Sequence, residues 1–276
     1  MGPPNAGALA IHGEARCPVG APNGALPFAL HRAPPTRCVG PPNAGALAIR
    51  GEARCPVGAP NGVLPLALHR PGRDVVHLGV FGGSFDPVHN GHLFVAEAVR
   101  EACGLDRVLF VPTREGKHYR NGAMNASTEQ RAEMIRLAIS ANVAFALDES
   151  DLAPDASGYT ADLLPRLQER YPDARFTFIV GGDSLVRSRW KRLDEVVDAV
   201  EAFVVAPRGE VTQTDLDHAL ADLAPARRAK ITMIDLPLVA ESATLIRERL
   251  GAGKSARYLI PEPVHRYIAE QGLYTR

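Results

Sequence analysis

The chain has 276 residues, 46% of them apolar, and its 31 basic and 31 acidic side chains cancel. That neutrality argues against a nucleic-acid protein, which carries a basic excess to neutralise phosphates, and favours a small ligand. No stretch approaches the ~18 consecutive apolar residues of a membrane span, and no basic start leads into an apolar core as in a secretory signal, so the expectation is a cytoplasmic protein with no membrane partner.

Residues 1–74 are a separate kind of sequence. The segment 2–32 returns almost unchanged as 40–70, differing only at His12/Arg50, Ala25/Val63 and Phe28/Leu66. A fixed period first suggests a solenoid. Pro and Gly are too dense to sustain helix or strand, however, and two copies bury little surface. The reading is therefore a disordered Pro/Gly-rich tandem-repeat extension, outside the fold. Such close identity points to a recently duplicated tract, translated ahead of a true start near Val75 or Val76; a flexible interaction tail is the alternative. Cys17, Cys38 and Cys55 fall in this segment and Cys103 at the end of a predicted helix. None forms a Cys-x-x-Cys pair, which predicts reduced thiols rather than a zinc site or a disulfide framework.

Residues 75–276 form the second unit and alternate strand and helix patterns. A short apolar run at 75–81 reads as a buried strand ended by Gly82 and Gly83. The next helix, 91–102, places Leu93, Val95, Ala96 and Val99 on one face. A second strand at 107–111 is closed by Pro112, and a polar loop covers 113–126. Ser127 then caps a helix whose Gln130 completes a capping box, with Met134, Ile135, Leu137 and Ala138 on its apolar side. Further strands are expected at 143–147, 175–180, 203–206 and 231–234, with a helix at 160–170. This alternation predicts an α/β fold, a parallel sheet with helices on both faces. In such sheets ligands bind outside the carboxyl ends of the strands, so the loops at 82–92, 113–120, 181–183 and 207–208 should converge on one cleft.

The chemistry concentrates at 79–93, Gly-Val-Phe-Gly-Gly-Ser-Phe-Asp-Pro-Val-His-Asn-Gly-His-Leu. Paired glycines let a backbone approach a ligand closely, and a helix starting near Gly91 would aim free N–H groups at an anion. His89 and His92, three apart, can face the same space. The stretch looks built for phosphate. The pattern Gly-Gly-x-Phe-Asp-Pro-x-His-x-Gly-His resembles the signature of the nucleotidylyltransferase superfamily, whose HxGH motif is here His89-Asn90-Gly91-His92.

The similarity extends over 77–274 to the bacterial nicotinate mononucleotide adenylyltransferases. Glu241-Ser-Ala-Thr-Leu-Ile-Arg247 is similar to their second signature, Gly158-Tyr159-Thr160 to their Ser-Tyr-Thr segment, and Gly181-Gly-Asp183-Ser-Leu with Trp190 to a further pair. The ending, Arg257-Tyr258-Leu-Ile-Pro261 through Gly272-Leu-Tyr274, also fits. The resemblance implies a Rossmann-like fold and an enzyme that joins nicotinate mononucleotide to the AMP part of ATP, releasing pyrophosphate. It makes His89, His92 and Arg247 the catalytic residues. It gives the ATP side to Gly82, Gly83, Ser84, Phe85, Gly181, Asp183, Ser242 and Thr244, with Asp86 bracing the loop. It gives the mononucleotide side to Lys117, His118, Tyr159, Thr160, Trp190 and Arg208. Mg²⁺ is expected as a cofactor held mainly through ATP, with no dedicated protein ligands.

These residue types suit the reaction. A phosphate monoester attacking the α-phosphorus is already an anion, so positioning and charge neutralisation remain, and no Ser-His-Asp set is needed. The sequence departs from the family twice. Gly116-Lys117-His118-Tyr119 stands where Pro-Pro-His-Lys or Pro-Pro-His-Arg is usual, moving the cation to Lys117 or Arg120, and Glu241 replaces an isoleucine. A pantetheine-phosphate adenylyltransferase and a nucleotide sensor without catalysis are the rival readings. Preference for the acid or amide mononucleotide stays open, as does assembly into a homo-oligomer.

Overall fold

The structure, a computed structural model, describes residues 75–114, 124–187, 190–207, 211–237 and 241–275. The expectations for residues 1–74 and for Lys117, His118, Arg120 and Arg208 lie outside the described residues.

Six strands build the centre: β1 (Val76–Gly83), β2 (Arg107–Pro112), β3 (Phe145–Leu147), β4 (Ala174–Gly181), β5 (Ala202–Ala206) and β6 (Ile231–Met233). They form one sheet in the order β3-β2-β1-β4-β5-β6, and every pairing is parallel. This is the doubly wound order, with its switch point between β1 and β4. The longer helices are α1 (Asn90–Ala102), α2 (Thr128–Ile139) and α3 (Thr160–Arg170). Shorter ones follow: α4 (Gly182–Arg187), α5 (Leu193–Asp198), α6 (Gln213–Ala219), α7 (Pro225–Arg228), α8 (Ala243–Gly251) and α9 (Glu262–Glu270). Among the described residues no helix is long and apolar enough to cross a membrane.

The sheet is covered on both faces, and the strand sequences show why. Alternate residues enter opposite cores: Phe81, Phe110, Ile179 and Val204 pack with α1, α2, α8 and α9, whereas Val80, Leu109, Val180 and Val205 pack with α3, α5 and α6. Near-continuous apolar strands are the mark of a sheet buried twice. Gly79 interrupts β1 for a packing reason, since a Cβ there would lie 2.8 Å from Leu105 Cδ1.

Several boundaries differ from the sequence reading. The strand expected at 143–147 begins at Phe145, because the Asn142 side chain accepts from the Ala144 N–H at 2.9 Å and holds a turn there; Val143 is 73% exposed. Gly181 and Gly182 do not end β4 in a loop: Gly181 is its last residue and Gly182 opens α4. The capping box at Ser127 is present, with Ser127 Oγ accepting from Gln130 N–H at 3.2 Å and Gln130 Oε1 accepting from Ser127 N–H at 2.8 Å. Cys103 closes α1 as a free thiol.

Candidate active site

The carboxyl ends of β1, β4 and β5 open into one cleft of about 350 Å³. That size suits a nucleotide-scale ligand. Gly82, Gly83 and Ser84 come from the end of β1, His89 and His92 from the start of α1, and Gly181 and Asp183 from the β4–α4 junction. Ser242, Thr244 and Arg247 arrive from α8, more than 150 positions later in the sequence. Ten residues that the sequence singles out, from three separated segments, therefore share a wall.

Backbone geometry makes the wall suit an anion. His89 is the N-cap of α1 in extended conformation, and Ser242 is the N-cap of α8, where its hydroxyl accepts from Leu245 N–H at 3.1 Å. Neither first turn carries an acidic residue. Two helix N-termini thus turn the positive ends of their dipoles to the same space.

The two imidazoles lie nearly parallel, with centroids 3.6 Å apart and planes at 31°. Both are buried. His92 Nδ1 accepts from the His89 backbone N–H at 3.2 Å. That bond occupies the Nδ1 lone pair, so the neutral ring carries its proton on Nε2 and is a donor there. Aromatic edges from Phe81 and Phe85, at 5.9 and 5.0 Å, fix the plane of the ring.

Arg247 ties the far segment to the first loop. Its Nη1 donates to the Asp86 carbonyl at 2.7 Å and its Nη2 to Thr244 Oγ1 at 3.2 Å, which leaves the guanidinium on the cleft wall in a fixed orientation. Asp86 braces the loop as expected. Its Oδ2 accepts from Asn125 N–H at 2.9 Å, and its Oδ1 accepts from Ala126 N–H at 3.1 Å and the Tyr274 hydroxyl at 2.7 Å. Burial, and secondarily the Asp86 charge, raises the Tyr274 phenol well above its ordinary range, so it stays a protonated donor.

Two features of the loop have other reasons than those expected. Phe85 does not line the cleft. Its ring is fully buried against Phe81 and Phe110. Gly83 is small to make room for that ring, since a Cβ would meet it at 3.1 Å. Beneath the loop Arg131, entirely buried, donates from Nη1 to the Ser84 carbonyl at 2.8 Å. Sequence reasoning missed it because an arginine in the polar first turns of α2 looks like any solvated helix residue. Nearby, burial pushes the Asp151 carboxyl up to about 6 against the pull of Arg166, Arg114 and Arg131.

The remaining candidates lie elsewhere. Tyr159 is the N-cap of α3, directly before Thr160, and its hydroxyl accepts from Lys191 Nζ at 3.2 Å. Trp190 packs edgewise on Phe178 and Phe203, both at 5.9 Å, and donates from Nε1 to the Ser184 carbonyl at 3.1 Å. Ser184 lines the cleft; Tyr159, Thr160 and Trp190 do not. Met124, Asn125 and Pro207 also line it, and no sequence signal marked them individually.

A doubly wound sheet with a wall suited to an anion at its switch point defines the Rossmann-like class of nucleotide-binding folds. The sequence model of the Cytidylyltransferase-like family matches residues 80–249. Over 206 residues the chain is 37% identical to a probable nicotinate-nucleotide adenylyltransferase of Symbiobacterium thermophilum, covering 73% of this chain and 97% of that one. It is 35% identical over 198 residues to the nicotinate-nucleotide adenylyltransferase of Bacillus subtilis (71% and 97%). The fold matches that of the Plasmodium falciparum nicotinic acid mononucleotide adenylyltransferase solved with NaAD. There the TM-score is 0.59 at 20% identity, over 72% of this chain and 97% of the other. The chain belongs to the nicotinate-nucleotide adenylyltransferase family.

Proposed function

We propose that the cleft transfers the adenylyl group of ATP to nicotinate mononucleotide, giving nicotinate adenine dinucleotide and pyrophosphate, a step of NAD biosynthesis. One observation carries the reading: His89, His92, Arg247 and two helix N-termini converge on a single wall. That is a set of donors for phosphate, and it contains no activated nucleophile.

The chemistry follows from those groups. A phosphate oxygen of the mononucleotide bonds to the α-phosphorus of ATP as the bond from that phosphorus to the bridging oxygen breaks, and pyrophosphate leaves. No proton need move. Negative charge grows on the leaving oxygen and the equatorial oxygens, and preorganised donors lower the barrier by meeting it. His92 Nε2–H is the donor assigned to the reacting phosphorus. His89 and Arg247 hold the flanking phosphates, and the N–H groups at Ser242 and Thr244 bind the terminal ones.

The cleft's described carboxylates are Asp86, Asp183 and Glu241, and Asp86 is committed to Asn125, Ala126 and Tyr274. Such a wall offers a divalent cation one or two ligands rather than a cage, which suits Mg²⁺ arriving on ATP with most of its waters. Bound there, Mg²⁺ would neutralise the departing pyrophosphate. Asp183 is the residue on the wall to meet it. Tyr159, Thr160 and Trp190 are assigned to the nicotinate ring and its carboxylate, together with Lys117, His118 and Arg208. We place the enzyme in the cytoplasm, where its thiols stay reduced.

The test offers purified protein ATP, Mg²⁺ and, in turn, nicotinate mononucleotide, its amide form and phosphopantetheine, and follows pyrophosphate. Release with nicotinate mononucleotide is expected. Preference for phosphopantetheine would move the chain to the pantetheine-phosphate activity, and no release with any acceptor would leave a binding protein.

A further inference from the structure

Tyr274 follows α9, well after the last signature of the site. Gly272, at φ 61°, ends α9: its N–H reaches Ala269 O at 3.3 Å and Leu273 N–H reaches Ile268 O at 3.0 Å. This reverses the chain and buries Leu273 against α9. Tyr274 then adopts φ 61° itself, a left-handed conformation costing a non-glycine residue on the order of 1 kcal/mol. The bend delivers its hydroxyl to Asp86 Oδ1 at 2.7 Å, 188 positions away in the sequence.

The other end of that bond is unusual in the same way. Phe85, immediately before Asp86, has φ 48°. Strain of this kind persists where surrounding contacts over-determine it. Here the contacts are those of Asp86, whose carboxylate gathers the Asn125 and Ala126 N–H groups and the Tyr274 hydroxyl while its carbonyl accepts from Arg247. Asp86 is thus the junction between the first loop and Arg247, both on the cleft wall. Among the described residues, Tyr274 is the side chain from the end of the fold that reaches the Asp86 carboxylate.

We propose that Tyr274 is a positioning residue for adenylyl transfer: its hydroxyl, through Asp86, sets the loop at 84–89 and Arg247 in the register that presents their donors to the transition state. The inference rests on the adenylyltransferase reading of the cleft. It assigns no contact between Tyr274 and substrate. A hydrogen bond to a buried carboxylate is worth more than a neutral one, so its loss should be felt at the groups Asp86 orders.

The test compares wild type with Tyr274→Phe, which removes only the hydroxyl, and with Tyr267→Phe, an aromatic of α9 outside this network, as the control for general loosening of the C-terminal helix. Tyr274→Phe should lower kcat about tenfold, a barrier change of about 1.4 kcal/mol. KM for nicotinate mononucleotide should stay within twofold, because the acceptor side is untouched, and Tyr267→Phe should match wild type. Hydrogen–deuterium exchange of the peptide covering residues 82–92 should quicken in Tyr274→Phe alone. A kcat within twofold of wild type, with only a lower thermal midpoint, would reduce Tyr274 to a structural brace and overturn the proposal, as would unchanged exchange at 82–92. If wild type itself gives no turnover, the adenylyltransferase reading falls, while the exchange measurement still decides whether Tyr274 orders the loop.

Discussion

The proposed phosphate side of the cleft and the proposed acceptor side are built differently. The phosphate side is buried and cross-braced: His89, His92 and Arg131 are enclosed, and Asp86 joins four segments of the chain through hydrogen bonds of 2.7 to 3.1 Å. The acceptor candidates rest on a more open surface. There Lys191 meets Tyr159, and Arg192 pairs with Asp162 and Glu195, all of them exposed ion pairs or hydrogen bonds. Exposed pairs of this kind contribute little to stability, typically ~0–1 kcal/mol. A rigid donor wall suits a transition state whose charge must be met without reorganisation. An open acceptor side suits a substrate that must enter and a longer product that must leave.

The largest effects should therefore fall on the phosphate side and in kcat. His92→Ala should reduce kcat by about 10³-fold while the protein stays folded by circular dichroism, since a preorganised donor to a developing oxyanion is worth ~10²–10³ in rate. Substantial residual turnover would break the contrast by making His92 a packing residue. Trp190→Phe probes the other side. It keeps an aromatic against Phe178 and Phe203 but loses the Ser184 bond and part of the stacking face. KM for nicotinate mononucleotide should rise about fivefold, with kcat and KM for ATP within twofold, since a modest stacking difference is worth ~1 kcal/mol. A change confined to ATP would reverse the assignment.

A smaller effect concerns stability alone. Asp151 has a native carboxyl raised to about 6 from an ordinary value of 3.8. Its native form binds the proton more tightly, so its contribution is fully present below pH 4 and is lost as pH rises through 6. On that account stability declines by about 1–3 kcal/mol across this window. Asp151→Asn should flatten the slope of unfolding free energy between pH 4 and 6. An unchanged slope would show that another group titrates there. The smallest effect is expected for deletion of residues 1–74: both sides of the cleft lie later in the chain, so kcat and both KM values should stay within twofold, and a marked loss would give the repeats a role.

What the sequence made legible follows the same division. The first loop was readable because its chemistry is contiguous: strand, paired glycines and two histidines at a fixed spacing declare a phosphate site within fifteen residues. Arg247 and Ser242 were readable as one compact motif far away. The parallel sheet was readable from strand and helix alternation, whereas β3 lost its first two residues to an Asn142 turn that periodicity does not register. Arg131 and the Tyr274–Asp86 bond were opaque for a physical reason. Their roles come from burial and from contacts 47 and 188 positions apart, and neither residue looks unusual beside its own neighbours. The paired glycines do not open the loop as expected but close β1, and Gly83 answers to the Phe85 ring beneath it rather than only to a ligand above.

On the proposed reaction, this wall acts on the α-phosphorus of ATP. The most direct measurement supplies ATP labelled separately at its α- and γ-phosphates, with nicotinate mononucleotide and Mg²⁺, and follows where each label goes. Adenylyl transfer puts the α label in the dinucleotide product and the γ label in pyrophosphate alone. Label from the γ position on the mononucleotide, or release of inorganic phosphate with ADP, would mean phosphoryl transfer and would contradict it.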